Sequence, residues 1–387
     1  MTRLRVRANG RLVAALALST AALTALTACG AAEEPAAATG GVDARTATSV
    51  ADFGGMDKLV AAAQKEGELN VITLPPDWAN YGEMIKTFEA KYKIKINSDN
   101  PDGSSSDEIA AVKSRKGQKR APDVLDLGIA FARSGSAEGL FASYKVEAWD
   151  KIPAAQKDPE GRYFNDYGGY VSIGCDAKRI KNCPETFADL LKPEYKGKVA
   201  LNGNPTKSGS AFGGLYAAAL ANGGSFDDIQ PGIDFFGKLK KNGNFIPVES
   251  TPATIEKGET PISIDWEYLN SGYAEKFAGK GVDWKVNVPK DGMYAQYYNQ
   301  AINKDAPHPA AARLWEEFLY SAEGHNLWVK GYARPVLLPA MVADGTADNT
   351  LVAKLAQVEG GSPTFPDAAQ TDKASATLAE NWDKAVS

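Results

Sequence analysis

Between residues 68 and 74 the chain reads Glu, Leu, Asn, Val, Ile, Thr, Leu, an apolar run closed by Pro75 and Pro76. Such a run predicts a short buried strand. Tyr81, Met84, Ile85, Phe88 and Tyr92 then recur at steps of three and four, which predicts a helix carrying them on one face. Residues 93–97 alternate Lys and Ile before Asn, the period of a half-buried strand. Gly103 and three serines lead into a helix predicted from Asp107, and residues 124–129, after Ala121, Pro122 and Asp123, read as a third strand. Strand, helix, strand, helix, strand predicts an α/β unit with a largely parallel sheet.

A second such unit begins after Pro193. Residues 198–202 read as a strand, and residues 211–221 as a helix of small side chains stopped by Asn222, Gly223 and Gly224. Residues 245–248 and 261–266 predict further strands. Residues 302–320 contain a strong helix, opened by Pro307 and Pro309 and carrying Leu314, Trp315, Phe318 and Leu319 on one side. The sequence shows neither a solenoid repeat nor a second hydrophobic span beyond the N-terminal one.

The N-terminus changes the picture. Arg3, Arg5, Arg7 and Arg11 precede an uncharged stretch from residue 12 to 32, the pattern of an export signal, with an apolar core too short and hydroxyl-rich to span a bilayer. Leu26, Thr27, Ala28, Cys29 resembles the bacterial lipobox, which implies that Cys29 takes a diacylglycerol and becomes the mature N-terminus. An ordinary signal cleavage that leaves Cys29 as a free thiol is the alternative. Residues 29–52, rich in Ala, Thr and Gly, are expected to form a flexible tether. Cleavage of residues 1–28 removes four arginines and no acid, so a net charge of -5 becomes -9. An acidic chain without a basic block argues against nucleic acid as partner. Cys175 and Cys183 remain, and outside the cytoplasm a disulfide between them is expected over a pair of buried thiols.

Three passages carry a family resemblance. They are residues 184–199, from Pro184-Glu185-Thr186-Phe187 through Lys192-Pro193-Glu194-Tyr195-Lys196-Gly197; Gly103-Ser104-Ser105-Ser106 with Ala121-Pro122-Asp123-Val124; and residues 310–324, containing Arg313-Leu314-Trp315-Glu316-Glu317-Phe318. Together they resemble the solute-binding proteins of ATP-binding-cassette importers, in the branch that includes ferric iron, polyamine and phosphonate binders. The resemblance implies an α/β fold of the two-lobed periplasmic binding protein-like type II kind, each lobe a mostly parallel sheet flanked by helices, with the ligand cleft between the lobes. Lobe one is expected to comprise residues 53–170 and 295–387, and lobe two residues 171–294, with crossings near residues 163–174 and 286–302. The implied protein is a monomer without cofactor or catalytic activity, held outside the cytoplasm, that delivers its solute to a permease and its ATPase.

Candidate ligand residues follow from chemistry at the strand ends. Trp78 and Tyr81 follow the first strand and are suited to walling in a small solute, although Tyr81 reads equally well as a packing residue. Ser104, Ser105 and Ser106 precede one helix, and Thr206, Ser208, Gly209 and Ser210 precede another. Free amides at such starts favour an anion, while capping explains part of the hydroxyl content by itself. Asp265, Trp266 and Glu267 end a strand. An acid beside an indole suits an ammonium ion. An anion site and an ammonium site together point to a zwitterion such as an aminoalkylphosphonate, by a small margin over a polyamine. Tyr297 and Tyr298 invite a ferric iron reading, but they fall near the return strand, with His308 and His325 as the only imidazoles. Two other classes are a glycan hydrolase using Asp265 or Glu267 and a signalling or adhesion module. For the hydrolase the sequence offers no second carboxylate partner.

Overall fold

The computed structural model describes residues 42–356, 358 and 365–387; the signal segment, Cys29 and the first part of the tether lie outside the described residues. The expected tether ends earlier than residue 52. Helix α1 (Val50–Phe53) buries Val50 and Phe53, and the buried Arg313 donates to the carbonyl oxygens of Ala47 at 2.7 Å and Arg45 at 2.9 Å. Apolar anchors and a satisfied guanidinium bind this segment to the domain, so it does not act as free linker.

The first half is built as the period-reading predicts. Helix α2 (Met56–Glu66) leads to β1 (Glu68–Ile72), α3 (Tyr81–Tyr92), β2 (Lys95–Asp99), α4 (Ser105–Ser114), β3 (Val124–Leu127) and α5 (Ile129–Ala137). Tyr81, Met84 and Phe88 form the buried face of α3, where Phe88 packs edge-on to Trp315, ring centroids 5.1 Å apart. Helix α4 starts two residues before Asp107, because Ser104 and Asp107 close a reciprocal capping box. The short β4 (Phe141–Ala142) follows, and the long β5 (Phe164–Asp176) then crosses the molecule.

The second half runs β6 (Val199–Leu201), α6 (Gly209–Ala221), α7 (Gln230–Asn242), α8 (Pro252–Lys257), β7 (Ile262–Trp266), α9 (Glu267–Phe277) and β8 (Trp284–Asn287). Residues 245–248 do not form a named strand; Phe245 makes a single bridge to Val199. Helix α6 consists of small residues because it lies directly on the sheet: a Cβ on Gly213 would sit 2.5 Å from the Trp266 ring. The return strand β9 (Ala295–Asn303) ends where the crossing was expected to end, and α10 (Pro309–Leu319) opens at the second of the two prolines. Elements α11 (Ala322–Lys330), β10 (Arg334–Pro335), α12 (Leu338–Asp344), α13 (Asn349–Val352) and α14 (Ala368–Val386) complete the chain.

The α/β architecture is two-lobed, and its sheets are mixed where mostly parallel ones were expected. Parallel pairing occurs between β1 and β2 and between β6 and β7. Antiparallel pairing enters through the crossing strands. Residues 164–170 of β5 pair with β9, and residues 171–176 pair with β7 and β8, so a single strand serves both halves. Cys175 and Cys183 form a disulfide with Cα atoms 5.8 Å apart, and the small loop it closes stabilises by about 2 to 3 kcal/mol in the chain-entropy picture. The last helix reaches both halves: Trp382 packs on Phe236 and Phe245 and Ala385 lies against Gly237 of α7 in the second, while Asp372 pairs with Arg133 of α5 in the first.

Candidate functional site

The carboxyl ends of β1, β2 and β3 face those of β6 and the 245–248 segment across a cavity of about 310 Å³. That volume lies at the small end of the roughly 300–1,000 Å³ range of small-molecule sites, and the position, beyond strand ends between two α/β units, is where open sheets place ligands. The first half contributes residues of the 73–78 and 101–108 segments and Asp126. The second contributes residues 202–204, 207–209 and 249–252 together with Tyr273, and Tyr298 enters from the return strand β9.

The two halves touch at the floor. A Cβ built on Gly209 would lie 3.0 Å from the Cα of Gly128, and one built on Gly128 would lie 2.9 Å from the Cα of Gly209. Only two glycines allow backbones this close. Gly209 thus permits the close approach of the other lobe while it also lines the cavity. Ser106 N–H also donates to the Lys207 carbonyl at 3.4 Å, and Lys276 pairs with Asp77 at 2.6 Å.

Trp78, Ser104, Ser105, Ser208 and Gly209 line the cavity, while Tyr81, Ser106, Thr206, Ser210, Asp265 and Trp266 do not. The serine hydroxyls are mostly engaged in local bonds. Ser104 Oγ donates to Asp107 at 2.7 Å, Ser208 Oγ donates to the Asn202 carbonyl at 2.9 Å, and Ser105 Oγ accepts from Gly128 N–H at 3.1 Å. Thr206 Oγ1 donates to Asn204, on an exposed turn. Ser105 and Gly209 open helices of ten and thirteen residues; Ser106 N–H is taken by the Lys207 carbonyl and Ala211 N–H by Ser208 Oγ, so what remains open at the two starts is backbone of the first residues, not serine hydroxyl.

Asp265 and Trp266 are placed differently from the expectation. Asp265 is buried and accepts from Ser210 Oγ at 2.6 Å, Asn202 Nδ2 at 2.7 Å and Trp266 N–H at 2.8 Å. It holds the cavity-lining Asn202 and the start of α6 in place, and it is buried behind the cavity wall, not on it. Trp266 stacks within the aromatic core, nearly parallel to Tyr268. Glu267 is also buried, accepting from Tyr170 N–H at 2.6 Å and Arg334 Nε at 3.1 Å. Burial pushes both carboxyls up to about 7.

The cavity's own acid at a strand end is Asp126. Its Oδ2 accepts from Tyr167 OH at 2.7 Å and Tyr81 OH at 3.0 Å, and Trp78 Nε1 donates to Tyr167 OH at 2.6 Å. Its Oδ1 is buried without a partner, and desolvation raises the carboxyl to about 7. Tyr81 is thus fully buried beneath the site and positions Asp126. Glu108, also on the cavity, accepts from Asp126 N–H at 2.9 Å, and burial raises it well above the carboxylate range. Asp126, Glu108, Asp102 and Glu249 escaped the sequence reading, because a single loop or strand-end acid has no distinguishing neighbour pattern. Glu249-Ser250-Thr251-Pro252 did carry a signal: a hydroxyl residue before Pro at a helix start.

The tyrosines and histidines do not converge. Tyr298 reaches the cavity, but Tyr297 packs on Phe365, His308 binds Asp123 and His325 is buried against the Leu319 carbonyl.

The family model of bacterial extracellular solute-binding proteins matches residues 119–354. The chain belongs to this family. The family is one of solute binding, not of catalysis. Among curated relatives, this solute-binding protein is 26% identical over 208 residues to a protein of Salmonella paratyphi A described as "Putative 2-aminoethylphosphonate-binding periplasmic protein". The match covers 53% of this chain and 59% of that relative, so the chain spans under two thirds of the relative's length. In structure it is similar to the periplasmic binding protein P5PA, with TM-score 0.67 and 18% identity over 83% of this chain and 100% of that one. It is also similar to AfuA from Actinobacillus pleuropneumoniae, solved with fructose-6-phosphate, with TM-score 0.62 and 20% identity over 82% and 99%. These structures carry the type II two-lobed fold that this solute-binding protein shares.

Proposed function

We propose that the protein is the receptor of an ATP-binding-cassette importer, anchored outside the cytoplasm through a lipidated Cys29, and that it closes on a small zwitterion such as an aminoalkylphosphonate. The observation that carries this reading is the pairing, in one cavity, of two helix starts from opposite halves with carboxylates from both halves. The amides left open at the starts of α4 and α6 suit an oxyanion, and the excess of acids on the same cavity suits an ammonium group. The curated relatives' described ligand, 2-aminoethylphosphonate, has both groups. Closure follows as a population shift, since a solute touching both lobes binds the closed form better.

A polyamine is the second reading. It is favoured by the six carboxylate side chains on the cavity against the single Lys207. A thermal-shift screen of 2-aminoethylphosphonate, ethylphosphonate, putrescine, spermidine and ferric citrate separates the readings. The zwitterion reading expects the largest stabilisation from 2-aminoethylphosphonate; stabilisation by putrescine or spermidine alone overturns it. For the anchor, a Cys29→Ala variant that still incorporates labelled fatty acid contradicts lipidation.

A further inference from the structure

Asp102 and Glu249 enter the cavity from opposite lobes, one on the loop before α4 and the other on the loop before α8. Among the described residues neither carboxylate has an ion-pair or hydrogen-bond partner, although most other acids on the cavity do: Asp77 pairs with Lys276, Asp107 caps α4, and Glu108 holds Asp126 N–H. The Glu249 carboxyl is raised first by desolvation and next by the charge of Asp102, which identifies the two as unfavourable neighbours across the gap. Beside Glu249, Ser250 is fully buried on the same cavity, and its Oγ has no partner. A site with two facing like charges and an unsatisfied hydroxyl lacks a group that is cationic and donates hydrogen bonds.

We propose that an ammonium group of the solute sits between Asp102 and Glu249, and that this bridge, more than the anion, permits the lobes to close. The inference rests on the zwitterion reading and assigns its amine end. The two carboxylates approach each other only when the lobes do, so their repulsion burdens the closed form alone. An ammonium between them turns that repulsion into attraction and gives the solute its differential affinity for the closed form. Ser250 Oγ supplies a third acceptor at the same place.

The test is calorimetric titration of the full chain and its E249Q and D102N variants with 2-aminoethylphosphonate, ethylphosphonate and putrescine, with small-angle scattering to follow closure. Wild type is expected to bind 2-aminoethylphosphonate roughly ten- to a hundredfold tighter than ethylphosphonate, the span of a hydrogen bond to a charged group. Each variant should reduce that preference to about threefold or less. Ethylphosphonate affinity should stay level or rise by about two- to fivefold as exposed like-charge repulsion is lifted. Both acids are at the surface, and unchanged apo melting confirms folding. An undiminished preference in both variants overturns the bridge, as does equal loss of both phosphonates. If neither phosphonate binds but putrescine does, with affinity that falls in both variants, the zwitterion reading fails and the ammonium bridge stands. If no probe binds, both fall.

Discussion

Asp126 and Asp265 occupy equivalent places: each ends a strand at the face where the lobes meet, each is buried, and burial pushes each carboxyl up to about 7. Their partners separate them. Asp265 has both oxygens engaged by Ser210, Asn202 and the Trp266 amide, while Asp126, on the cavity wall, has one oxygen held by two tyrosines and the other buried, with only the neighbouring Asp166 carboxyl beside it. A satisfied acid fixes a scaffold. An acid left half-satisfied at a cavity is open to a ligand, because a donor that reaches it lowers the cost of its burial.

The sharpest way to break this comparison is to truncate the satisfied acid. Asp265→Ala leaves Asn202, Ser210 and a buried amide without their acceptor, and should cost about 3 kcal/mol of stability, read as the midpoint of chemical denaturation. Next in size is Gly209→Val, whose Cβ meets the Gly128 backbone. It should hold the lobes apart, weaken solute affinity by more than about tenfold through loss of the closed population, and leave apo melting nearly unaltered. Titration together with scattering reads both effects.

Asp126→Asn sharpens the contrast. The amide oxygen can still accept from Tyr81 and Tyr167 while its nitrogen takes the vacant side, so stability should change by less than about 1 kcal/mol while affinity for an amine-bearing solute falls. The same change at Asp265 turns an N–H toward a donor and should lower the melting temperature clearly. Equal melting of the two Asn variants would contradict the assignment.

A pH series gives a smaller signal. The ordinary aspartate value is 3.8, and both acids titrate near 7 in the fold. Between those values the folded protein holds protons that the unfolded chain has released, so stability falls as pH rises through that window and levels off above 7. Glu267 and Glu317, also raised to about 7, act in the same direction. His325, held neutral to about 4, opposes them below 6.5. Melting temperature should therefore drop between pH 5.5 and 7.5, with a shallower drop in Asp126→Asn. The smallest effect belongs to the exposed pair of Arg133 and Asp372, which ties α5 to α14 at 2.9 Å; Arg133→Ala should cost at most about 1 kcal/mol.

Most of the fold was legible because periodicity reports burial. The α3 stripe of Tyr81, Met84 and Phe88 lies where a 3.6-residue period puts it. The crossing strand β5 was placed nearly to its ends by resemblance. The packing of α14 was not legible, since attachment of Trp382 to Phe236 is decided by tertiary contact. At the site, strand-loop-helix punctuation located the cavity, because hydroxyl-rich helix starts advertise themselves. Individual roles did not follow. Asp265 beside Trp266 reads as a cation site in one dimension, and only three dimensions reveal Ser210 and Asn202 already bound to it. Asp102 and Glu249 lie far apart in sequence, and their opposition exists only where the lobes meet.

The central claim is that the cavity closes on a solute bearing both an oxyanion and an amine. Calorimetric titration of the protein with 2-aminoethylphosphonate tests it most directly. Saturable binding of one molecule per chain, weaker in Asp126→Asn and more than about tenfold weaker in Gly209→Val, is the predicted result. Absence of binding to 2-aminoethylphosphonate by a folded protein that binds putrescine or a ferric complex would contradict it.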